Sequence, residues 1–259
     1  MAITSELKKD KLVVRCYDSR EDMGAAAAKD CAAKIRELLS KKSEINMIFA
    51  AAPSQNEMLA SLVKEPGIEW NRINAFHMDE YVGLPANAPQ GFGNFLREHI
   101  FSKVPFKSVN YLNGQNPDRN AECARYADLL RKNPVDIVCL GVGENGHIAF
   151  NDPPVADFSD PHLVKVVPLD SVCRNQQVHD GCFQSLSEVP THALTLTVPA
   201  LMNGACLYCV VPAATKAEAV RRMVTWDIGE ACPATVLRRH DNSFLYLDPE
   251  SSRLIGKEA

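Results

Sequence analysis

The chain has 259 residues, 46% of them hydrophobic and 23% charged, which is typical of a globular protein able to bury a sizeable core. Its formal net charge of -4, without a block of basic residues, argues against nucleic acid as a partner. No apolar stretch approaches the ~20 residues that cross a bilayer, and the N-terminus lacks the apolar core of a signal peptide, so we predict a cytoplasmic protein without membrane contact.

Short β-branched runs alternate with longer helical patterns along the chain. A strand at 12–16 leads into a helix at 19–39, with Ser19 and Asp22 at capping-box spacing. The later predictions are strand 45–50, helix 54–64, strand 72–78, helices 92–101 and 120–132, strands 136–140, 194–198 and 205–211, helix 215–224 and strand 244–247. This alternation predicts an α/β fold with a predominantly parallel, Rossmann-like sheet and helices on both faces. No linker or repeat divides residues 1–259, so a single domain is expected.

The cysteines do not have the pattern of a disulfide framework. There are nine, an odd number at scattered positions, so we expect free thiols. Cys206 and Cys209 match the C-x-x-C spacing but lie in the apolar run predicted as a strand. Core packing is therefore favoured there over redox or metal binding.

A glycine-rich turn directly follows the strand predicted at 136–140. Residues 141–153 read G-V-G-E-N-G-H-I-A-F-N-D-P. Glycine permits close approach of the backbone to a ligand, and histidine titrates near neutral pH. His147 is therefore the leading acid–base candidate, against the alternative that the glycines only turn the chain and His147 caps a helix. The adjoining long loop, 152–161, is interpreted as either a lid or a plain surface excursion.

Ligands bind outside the carboxyl ends of parallel strands, so the segments after the other strands are candidates too. Asp79 and Glu80 follow the strand predicted at 72–78. Adjacent carboxylates point in different directions, so one can face a cleft while the other anchors the loop. A buried Asp would have the raised pKa that a proton shuttle needs. A helix cap or turn acid is the structural alternative.

Two helix starts are candidate anion sites. Ser54, Gln55 and Asn56 begin the helix predicted at 54–64, where free backbone amides attract anions. A purely structural capping box between Ser54 and Glu57 is the alternative. Lys216 lies in the first turn predicted for helix 215–224, where the helix dipole disfavours a cation. Its position favours a ligand such as a phosphate, although a solvated surface Lys remains the alternative.

Residues 78–84, M-D-E-Y-V-G-L, together with the 141–153 segment, resemble the glucosamine-6-phosphate deaminase/isomerase family. Segments 112–114 and 193–195 and Lys216 extend the resemblance over most of the chain. It implies an enzyme that converts glucosamine 6-phosphate and water into fructose 6-phosphate and ammonia, with a phosphorylated amino sugar as substrate and no metal or organic cofactor. A homo-oligomer is compatible with it, because family members vary in oligomeric state.

The resemblance also implies a role for each site residue. His147 would open the pyranose ring, and Asp152 would hold and polarise the imidazole. Asp79 would carry a proton from C2 to C1 of the sugar. Lys216 matches the family's phosphate lysine. Glu80 and Gly143 are assigned to substrate binding with Ser54, Gln55 and Asn56.

The chain departs from the family pattern in three ways. Asn145 stands where the family often has Asp, so the catalytic relay is expected to be shorter. Asp152 replaces Glu, which moves the carboxylate back by about 1.5 Å. The phosphate loop reads A-A-P-S-Q-N-E instead of L-P-T-G-G-T-P, and Gln177 aligns with the family's phosphate-binding Arg. Arg174, one helical turn earlier, is expected to substitute for that Arg from the same face.

Three alternative functions fit the sequence less well than a deaminase. A 6-phosphogluconolactonase would share the fold, but the I-A-F-N-D-P continuation fits the deaminase better; another sugar-phosphate isomerase or hydrolase belongs with this alternative. A non-catalytic sugar-phosphate sensor is disfavoured because the acid–base residues are retained and no DNA-binding helices are appended. A metal enzyme using His77, Asp79, His147 and Asp152 lacks the local spacing of known zinc motifs.

Overall fold

The computed structural model describes residues 3–256. The α-helices are α1 (Arg20–Leu39), α2 (Asn56–Leu62), α3 (Phe92–Leu96), α4 (Arg119–Lys132), α5 (Ser171–His179), α6 (Val198–Met202), α7 (Ala217–Thr225) and α8 (Pro249–Ser252). The strands are β1 (Ile3–Lys9), β2 (Leu12–Tyr17), β3 (Ile45–Phe49), β4 (Ile73–His77), β5 (Asp79–Tyr81), β6 (Ser108–Asn110), β7 (Ile137–Leu140), β8 (Val164–Pro168), β9 (His192–Leu196), β10 (Cys206–Val211) and β11 (Ser243–Leu247). No helix within this range is long and apolar enough to span a membrane.

Eight strands form the central sheet, in the order β1-β2-β11-β10-β7-β3-β4-β6. All neighbours pair in parallel except β1, which runs antiparallel to β2 at the edge. Strand β7 lies in the middle, between β10 and β3, and all its residues are buried. Strands covered on both faces need near-continuous apolar runs, which is the pattern of β3, β7 and β10.

Helices cover both faces of this sheet. In β3, Met47 and Phe49 join a hydrophobic cluster with residues of α1 and α2, whereas Ile48 joins a second cluster with residues of α4 and α7. Side chains alternate between the faces of a strand, so one strand contributes to both clusters. The prediction of a mostly parallel α/β sheet with helices on both faces is confirmed.

The cysteine predictions are confirmed as well. All nine cysteines are free thiols. Cys206 and Cys209 are both buried in β10, and they belong to the hydrophobic clusters on opposite faces of the sheet. The C-x-x-C spacing therefore places the two sulfurs apart, in core packing.

A second, three-stranded antiparallel sheet has the order β5-β9-β8. The sequence predicts a loop directly after Met78 and a strand at residues 194–198. Instead, Asp79 pairs with Thr195 in an antiparallel ladder, and Val198 begins α6. These three strands lie beside the central sheet and position the residues that follow β4.

His77, the last residue of β4, fixes the connection into β5. Its Nδ1 lies 2.9 Å from the Asp79 carbonyl oxygen, and its Nε2 accepts the Leu112 N–H at 2.9 Å. Nδ1 therefore carries the proton. Burial lowers the pKa of His77 to about 4, so the ring is neutral and structural.

The expected caps have mixed outcomes. Ser19 Oγ accepts the Asp22 N–H at 3.0 Å, which confirms the cap of α1. The Ser54–Glu57 box is wrong, because a 3₁₀ turn at Pro53–Gln55 precedes α2 and no side chain caps that helix. Helix α7 likewise begins after a 3₁₀ turn, Ala214–Lys216, without a side-chain cap.

Candidate active site

A cleft opens at the carboxyl ends of β3, β4, β7 and β10. Its position follows the rule for ligand sites in open parallel sheets. Several predicted site residues line the cleft: Ser54, Gln55, Asp79, Gly143, His147 and Lys216. The four strand ends thus bring residues from four distant parts of the chain into one site.

Asp79 faces this cleft from the first position of β5. Its side chain is buried, and burial followed by the Glu80 charge raises its pKa well above the ordinary value. Side chains alternate along a strand, so Asp79 and Glu80 point to opposite sides of β5. A buried carboxyl group with a raised pKa can accept and return a proton near neutral pH.

Glu80 does not lie in the cleft, which corrects its assignment to substrate binding. Its carboxylate accepts the backbone N–H groups of Phe92 and Gly93, at 3.1 and 2.8 Å, at the start of α3. It also accepts the Tyr81 N–H at 2.9 Å. These donors are the free amides of a helix N-terminus, which a carboxylate satisfies well. Glu80 therefore anchors α3 against β5.

The imidazole of His147 is held by Asn145 and Asp152. His147 Nδ1 lies 2.8 Å from Asn145 Oδ1 and 2.9 Å from Asp152 Oδ1. Asn145 Nδ2 donates to the same Asp152 oxygen at 2.8 Å, which identifies Asn145 Oδ1 as an acceptor. Because both atoms facing Nδ1 accept, Nδ1 carries the proton and Nε2 keeps its lone pair. His147 is thereby prepared to act as a base through Nε2.

Asp152 reaches His147 despite its short side chain. Burial alone would raise the pKa of Asp152, but the His147 charge and hydrogen bonds from His147, Asn145 and Cys173 outweigh it, so the pKa is lowered. The carboxylate therefore stays ionised beside the imidazole. The 2.9 Å contact shows that an Asp side chain at position 152 is long enough to reach the imidazole.

Cys173 completes a buried trio with His147 and Asp152, whose possible ligand atoms lie within 4.8 Å of one another. Such a set has the chemistry of a metal site. Cys173 also hydrogen-bonds the Asp152 carboxylate, and burial and the Asp152 charge raise the pKa of its thiol. The trio is better explained as support for the imidazole.

Gly143 provides the space for that imidazole. A Cβ atom built on Gly143 would lie 2.1 to 2.4 Å from three atoms of the His147 ring. No side chain fits at that distance. Glycine at this position is therefore required for the ring to lie against the backbone of the 141–147 turn.

Replacing Gly143 by Ala is expected to displace the imidazole. Overpacking of this kind lowers the free energy of unfolding by about 1 to 3 kcal/mol. A misplaced catalytic ring lowers kcat by roughly 100-fold. Thermal unfolding and steady-state kinetics measure the two effects. Gly229→Ala is the matched control, because a Cβ there meets nothing within 4 Å; equal losses in both variants would contradict this role of Gly143.

Lys216 is buried in the cleft without a hydrogen-bond partner. The residue is 4% exposed, its Nζ makes no hydrogen bond within residues 3–256, and Asp180 Oδ2 lies 4.0 Å away, which is a long ion pair. Burial lowers the pKa of Lys216, against the opposing charges of Asp180 and Glu144. A buried ammonium that makes no hydrogen bond is unfavourable, so an anionic ligand would stabilise it.

Lys216 owes its position to an unusual turn after β10. Ala213 adopts a φ of 84°, which is strained for a residue with a side chain, and its N–H donates to Asp248 Oδ2 at 3.0 Å. The chain then makes a 3₁₀ turn that ends at Lys216. Lys216 therefore lies just before α7, not within its first α-helical turn as expected.

Gln55 is held beside the strand ends. Its Nε2 lies 3.1 Å from Ser54 Oγ and 3.3 Å from the Val210 carbonyl oxygen. Its Oε1 is buried without a hydrogen-bond partner. Buried polar atoms are normally satisfied, so a ligand hydroxyl or ammonium is the natural donor to this oxygen.

Two predicted substrate-binding residues do not line the cleft. Arg174 Nη2 donates to the carbonyl oxygens of Leu186 and Val189, at 2.6 and 2.8 Å, which holds its guanidinium against the following loop. Asn56, the first residue of α2, is also absent from the lining. The expectations that Arg174 replaces the phosphate Arg and that Asn56 contacts the ligand are therefore corrected.

The structure adds lining residues that the sequence analysis did not assign to the site: Arg20, Gln176, Gln177 and Asp180. Gln177 is fixed by Tyr81, whose hydroxyl donates to Gln177 Oε1 at 2.7 Å. Arg20 comes shortly after the strand predicted at 12–16 and directly after Ser19, the cap residue of α1. The carboxyl-end rule, applied to that strand too, would have found it.

The loop at 152–161 is attached to the small sheet. Lys165 of β8 donates from Nζ to the Val155 carbonyl oxygen at 2.7 Å and to Asp160 Oδ2 at 2.8 Å. None of residues 152–161 lines the cleft. This arrangement favours the surface excursion over the lid.

The fold and cleft together define an α/β enzyme with acid–base groups at the carboxyl ends of its strands. Comparison with known proteins gives the family: the family model described as glucosamine-6-phosphate isomerases/6-phosphogluconolactonase matches residues 18–246. The chain belongs to this family.

Individual relatives agree with that result. A glucosamine-6-phosphate deaminase of Bacillus cytotoxicus is 32% identical over 240 residues, which cover 93% of this chain and 88% of that protein. The enzyme of the same name from Listeria monocytogenes is 33% identical over 225 residues, covering 86% of this chain and 94% of that protein.

Solved structures reproduce the fold. A monomeric glucosamine-6-phosphate deaminase superposes with a TM-score of 0.84 at 27% identity and covers 93% of this chain and 99% of that chain. A 6-phosphogluconolactonase from Thermotoga maritima gives a TM-score of 0.75 at 19% identity, covering 92% of this chain and 100% of that chain. The second similarity shows a shared fold alone.

Proposed function

We propose that this protein is a glucosamine-6-phosphate deaminase, which converts glucosamine 6-phosphate and water into fructose 6-phosphate and ammonia. The observation that carries the proposal is one cleft that contains a buried carboxyl group at Asp79, a His147 ring with its proton on Nδ1, and a Lys216 Nζ without a hydrogen bond within residues 3–256. The reaction needs a group for proton transfer between carbons, a base for ring opening and a cation for phosphate. Relatives that bear this enzyme name support the assignment.

The first step is opening of the pyranose ring. His147 Nε2 takes the proton of the anomeric hydroxyl and returns a proton to the ring oxygen as the C1–O5 bond breaks. The imidazolium formed in between is stabilised by Asp152, whose carboxylate lies 2.9 Å from Nδ1. Asn145 cannot take up a proton, so it orients the ring and Asp152 alone balances the charge.

The second step moves a proton between two adjacent carbons. The Asp79 carboxylate removes the C2 proton, and the electrons of that C–H bond form the C1–C2 double bond of an enolamine as the aldehyde oxygen takes a proton from the substrate's own C2 ammonium group. Asp79 then returns its proton to C1, which leaves a protonated imine at C2. Because the pKa of Asp79 is raised, its carboxylate is a stronger base than an exposed Asp.

The last step releases ammonia. Water adds to the C2 imine, the C–N bond breaks, and the ketone of fructose 6-phosphate forms. These steps use only proton transfers and water, and the residues of the cleft supply the groups that carry the protons. We propose no metal or organic cofactor for them.

Lys216 is assigned to the phosphate of the substrate. Lys216→Met is expected to raise KM by about 10- to 100-fold, because a charge-assisted hydrogen bond to the phosphate is lost, with little change in kcat. Steady-state kinetics measure KM and kcat separately. Lys34→Gln is the control, since Lys34 lies on α1 outside the cleft and pairs with Glu37. A Lys216→Met enzyme with unchanged KM would remove Lys216 from phosphate binding.

The same Lys216→Met variant is expected to unfold at a higher temperature near neutral pH. The folded-state pKa of Lys216 is depressed, so its charged form is unfavourable in the folded protein at any pH below that pKa. Removing the ammonium relieves this cost, whereas loss of a stabilising ion pair would act in the opposite direction.

We also propose that residues 1–259 act as one domain in the cytoplasm. The free thiols at all nine cysteines support a reducing compartment. The acidic net charge supports the absence of a nucleic-acid partner. Homo-oligomer formation stays a prediction, which sedimentation of the purified protein would test.

The proposed activity is tested by incubating the purified protein with glucosamine 6-phosphate and measuring ammonia and fructose 6-phosphate. Galactosamine 6-phosphate and 6-phosphogluconolactone are run in parallel. Equal amounts of ammonia and fructose 6-phosphate are expected. Turnover of the lactone without ammonia release from either amino sugar would overturn the proposal, and binding without any turnover would indicate a sensor.

A further inference from the structure

The cleft contains few positive charges for an anionic substrate. Among residues 3–256, Arg20 and Lys216 are the only Arg or Lys side chains that line it. Arg20 is the first residue of α1 and follows the Ser19 cap at the carboxyl end of β2. Lys216 follows β10. Two strands of the same parallel sheet therefore deliver these two cations to one cleft.

Lys216 is a weak anion site on its own. Asp180 also lines the cleft, and its Oδ2 lies 4.0 Å from Lys216 Nζ, so its charge offsets part of the positive potential. Gln177, which also lines the cleft, is neutral and held by the Tyr81 hydroxyl. Arg174 is held by backbone carbonyls outside the cleft. A doubly charged phosphate therefore needs a second cation from another element.

Arg20 meets that need because its guanidinium is held beside the 53–55 turn. Nη2 donates to the Pro53 carbonyl oxygen at 2.6 Å, and Nε lies 2.9 Å from Glu57 Oε1. Glu57 offsets part of the Arg20 charge, as Asp180 does for Lys216, but a guanidinium has five N–H donors, so these two contacts orient it and leave donors for a ligand. The Arg20 side chain is 32% exposed, which makes it accessible to a small molecule.

We propose that Arg20 is the second cationic residue of the phosphate site and binds the substrate phosphate together with Lys216. The assignment rests on the proposed function for the identity of the substrate. It places the phosphate between the 53–55 turn after β3 and the 214–216 turn after β10. Guanidinium groups bind phosphate oxygens through short, charge-assisted hydrogen bonds.

The test compares Arg20→Gln and Arg20→Lys with the wild type. Arg36→Gln is a matched control on the same helix, because Arg36 Nη1 donates to the Pro66 carbonyl oxygen and pairs with Glu65, outside the cleft. Arg20→Gln is expected to raise KM for glucosamine 6-phosphate about 10- to 30-fold while kcat changes by less than about threefold. Arg20→Lys retains the charge and should lie between Arg20→Gln and the wild type.

Inorganic phosphate gives a readout that does not depend on turnover. Its dissociation constant, measured calorimetrically, is expected to rise about 10-fold in Arg20→Gln and to stay unchanged in Arg36→Gln. The proposal is overturned if Arg20→Gln binds phosphate like the wild type, or if it lowers kcat without affecting KM. Thermal unfolding confirms that each variant is folded.

The two proposals can fail separately. Wild-type turnover with an unchanged KM in Arg20→Gln would overturn the Arg20 assignment and leave the deaminase intact. If the wild type does not turn over glucosamine 6-phosphate, the deaminase proposal fails. The phosphate dissociation constants then still decide for or against Arg20.

Discussion

Asp79→Asn is expected to abolish exchange of the substrate C2 proton with solvent and to lower kcat for ammonia release by about 10²- to 10⁴-fold. An amide of nearly the same shape cannot accept the proton, so the enolamine does not form. Substrate binding should survive, because the residues proposed to bind the phosphate, Arg20 and Lys216, lie elsewhere in the cleft. Proton exchange followed by nuclear magnetic resonance, with a binding titration, measures both effects.

Glu80→Gln is the control for Asp79→Asn. Glu80 is the adjacent acid, but its carboxylate accepts the N–H groups at the start of α3, and the Gln carbonyl oxygen can replace part of that contact. Its kcat should stay within about 10-fold of the wild type, with some loss of stability. Unchanged proton exchange in Asp79→Asn, or equal losses in both variants, would remove Asp79 from the proposed role.

Stability offers an independent check on Asp79. Its folded-state pKa is raised, so its contribution to stability is fully present below the ordinary pKa of Asp and is lost as pH rises through the folded-state pKa. Asp79→Asn should therefore unfold at a higher temperature than the wild type at neutral or alkaline pH. Such a loss of stability at Asp79 is expected if the proposed proton transfer requires a buried carboxylate.

His147→Gln has the second large expected effect. Without the imidazole the pyranose must open spontaneously, so kcat/KM should fall by about 10²- to 10⁴-fold. The variant should still exchange the C2 proton of the small open-chain fraction of substrate, because Asp79 is intact. Loss of ring opening with retained exchange separates the role of His147 from that of Asp79.

His162→Gln is the control for His147→Gln. The His162 side chain is 73% exposed and lies near Asp160, outside the cleft. Its kinetics should match those of the wild type. If His147→Gln retains full activity on the cyclic substrate, or loses C2 proton exchange as completely as Asp79→Asn, the division of roles between the two residues is wrong.

Much of the central sheet could be predicted because each of its strands is marked by a pattern of a few consecutive residues. Apolar runs such as β3, β7 and β10 are buried on both faces, and helical patterns separate them, so alternation alone indicates parallel pairing. The small sheet could not be predicted in this way. Asp79 pairs with Thr195, more than a hundred residues away, and only that pairing makes β5 a strand. Non-local pairing leaves little trace in a single sequence.

The same limitation explains the errors at the site. Once β5 is a strand, the alternation of its side chains sends Asp79 into the cleft and Glu80 towards α3. Adjacent acids are expected to point in different directions, but both were predicted to act on the substrate, Asp79 in proton transfer and Glu80 in binding. Arg174 and Gln177 share one helix, yet the carbonyl groups of a following loop hold Arg174 away from the cleft.

Residues identified through turns were the most predictable part of the site. His147 and Gly143 belong to a glycine-rich turn after β7, where both the backbone requirement and the chemistry are visible in the sequence. Arg20 has no such pattern. It is an ordinary first residue of a helix, so its place after β2 makes it a candidate only through the carboxyl-end rule, and the arrangement of β2, β3 and β10 in one sheet brings it to the cleft.

The central claim is that this cleft moves a proton from C2 to C1 and then releases ammonia. The most direct measurement is the reaction of glucosamine 6-phosphate in deuterium oxide, with product analysis by nuclear magnetic resonance. We expect fructose 6-phosphate that carries at C1 either the transferred C2 proton or a deuterium that replaced it on Asp79 by exchange with solvent, no deuterium at other carbons, and an equal amount of ammonia. Failure to form ammonia and fructose 6-phosphate, with hydrolysis of 6-phosphogluconolactone by the same preparation, would contradict the claim.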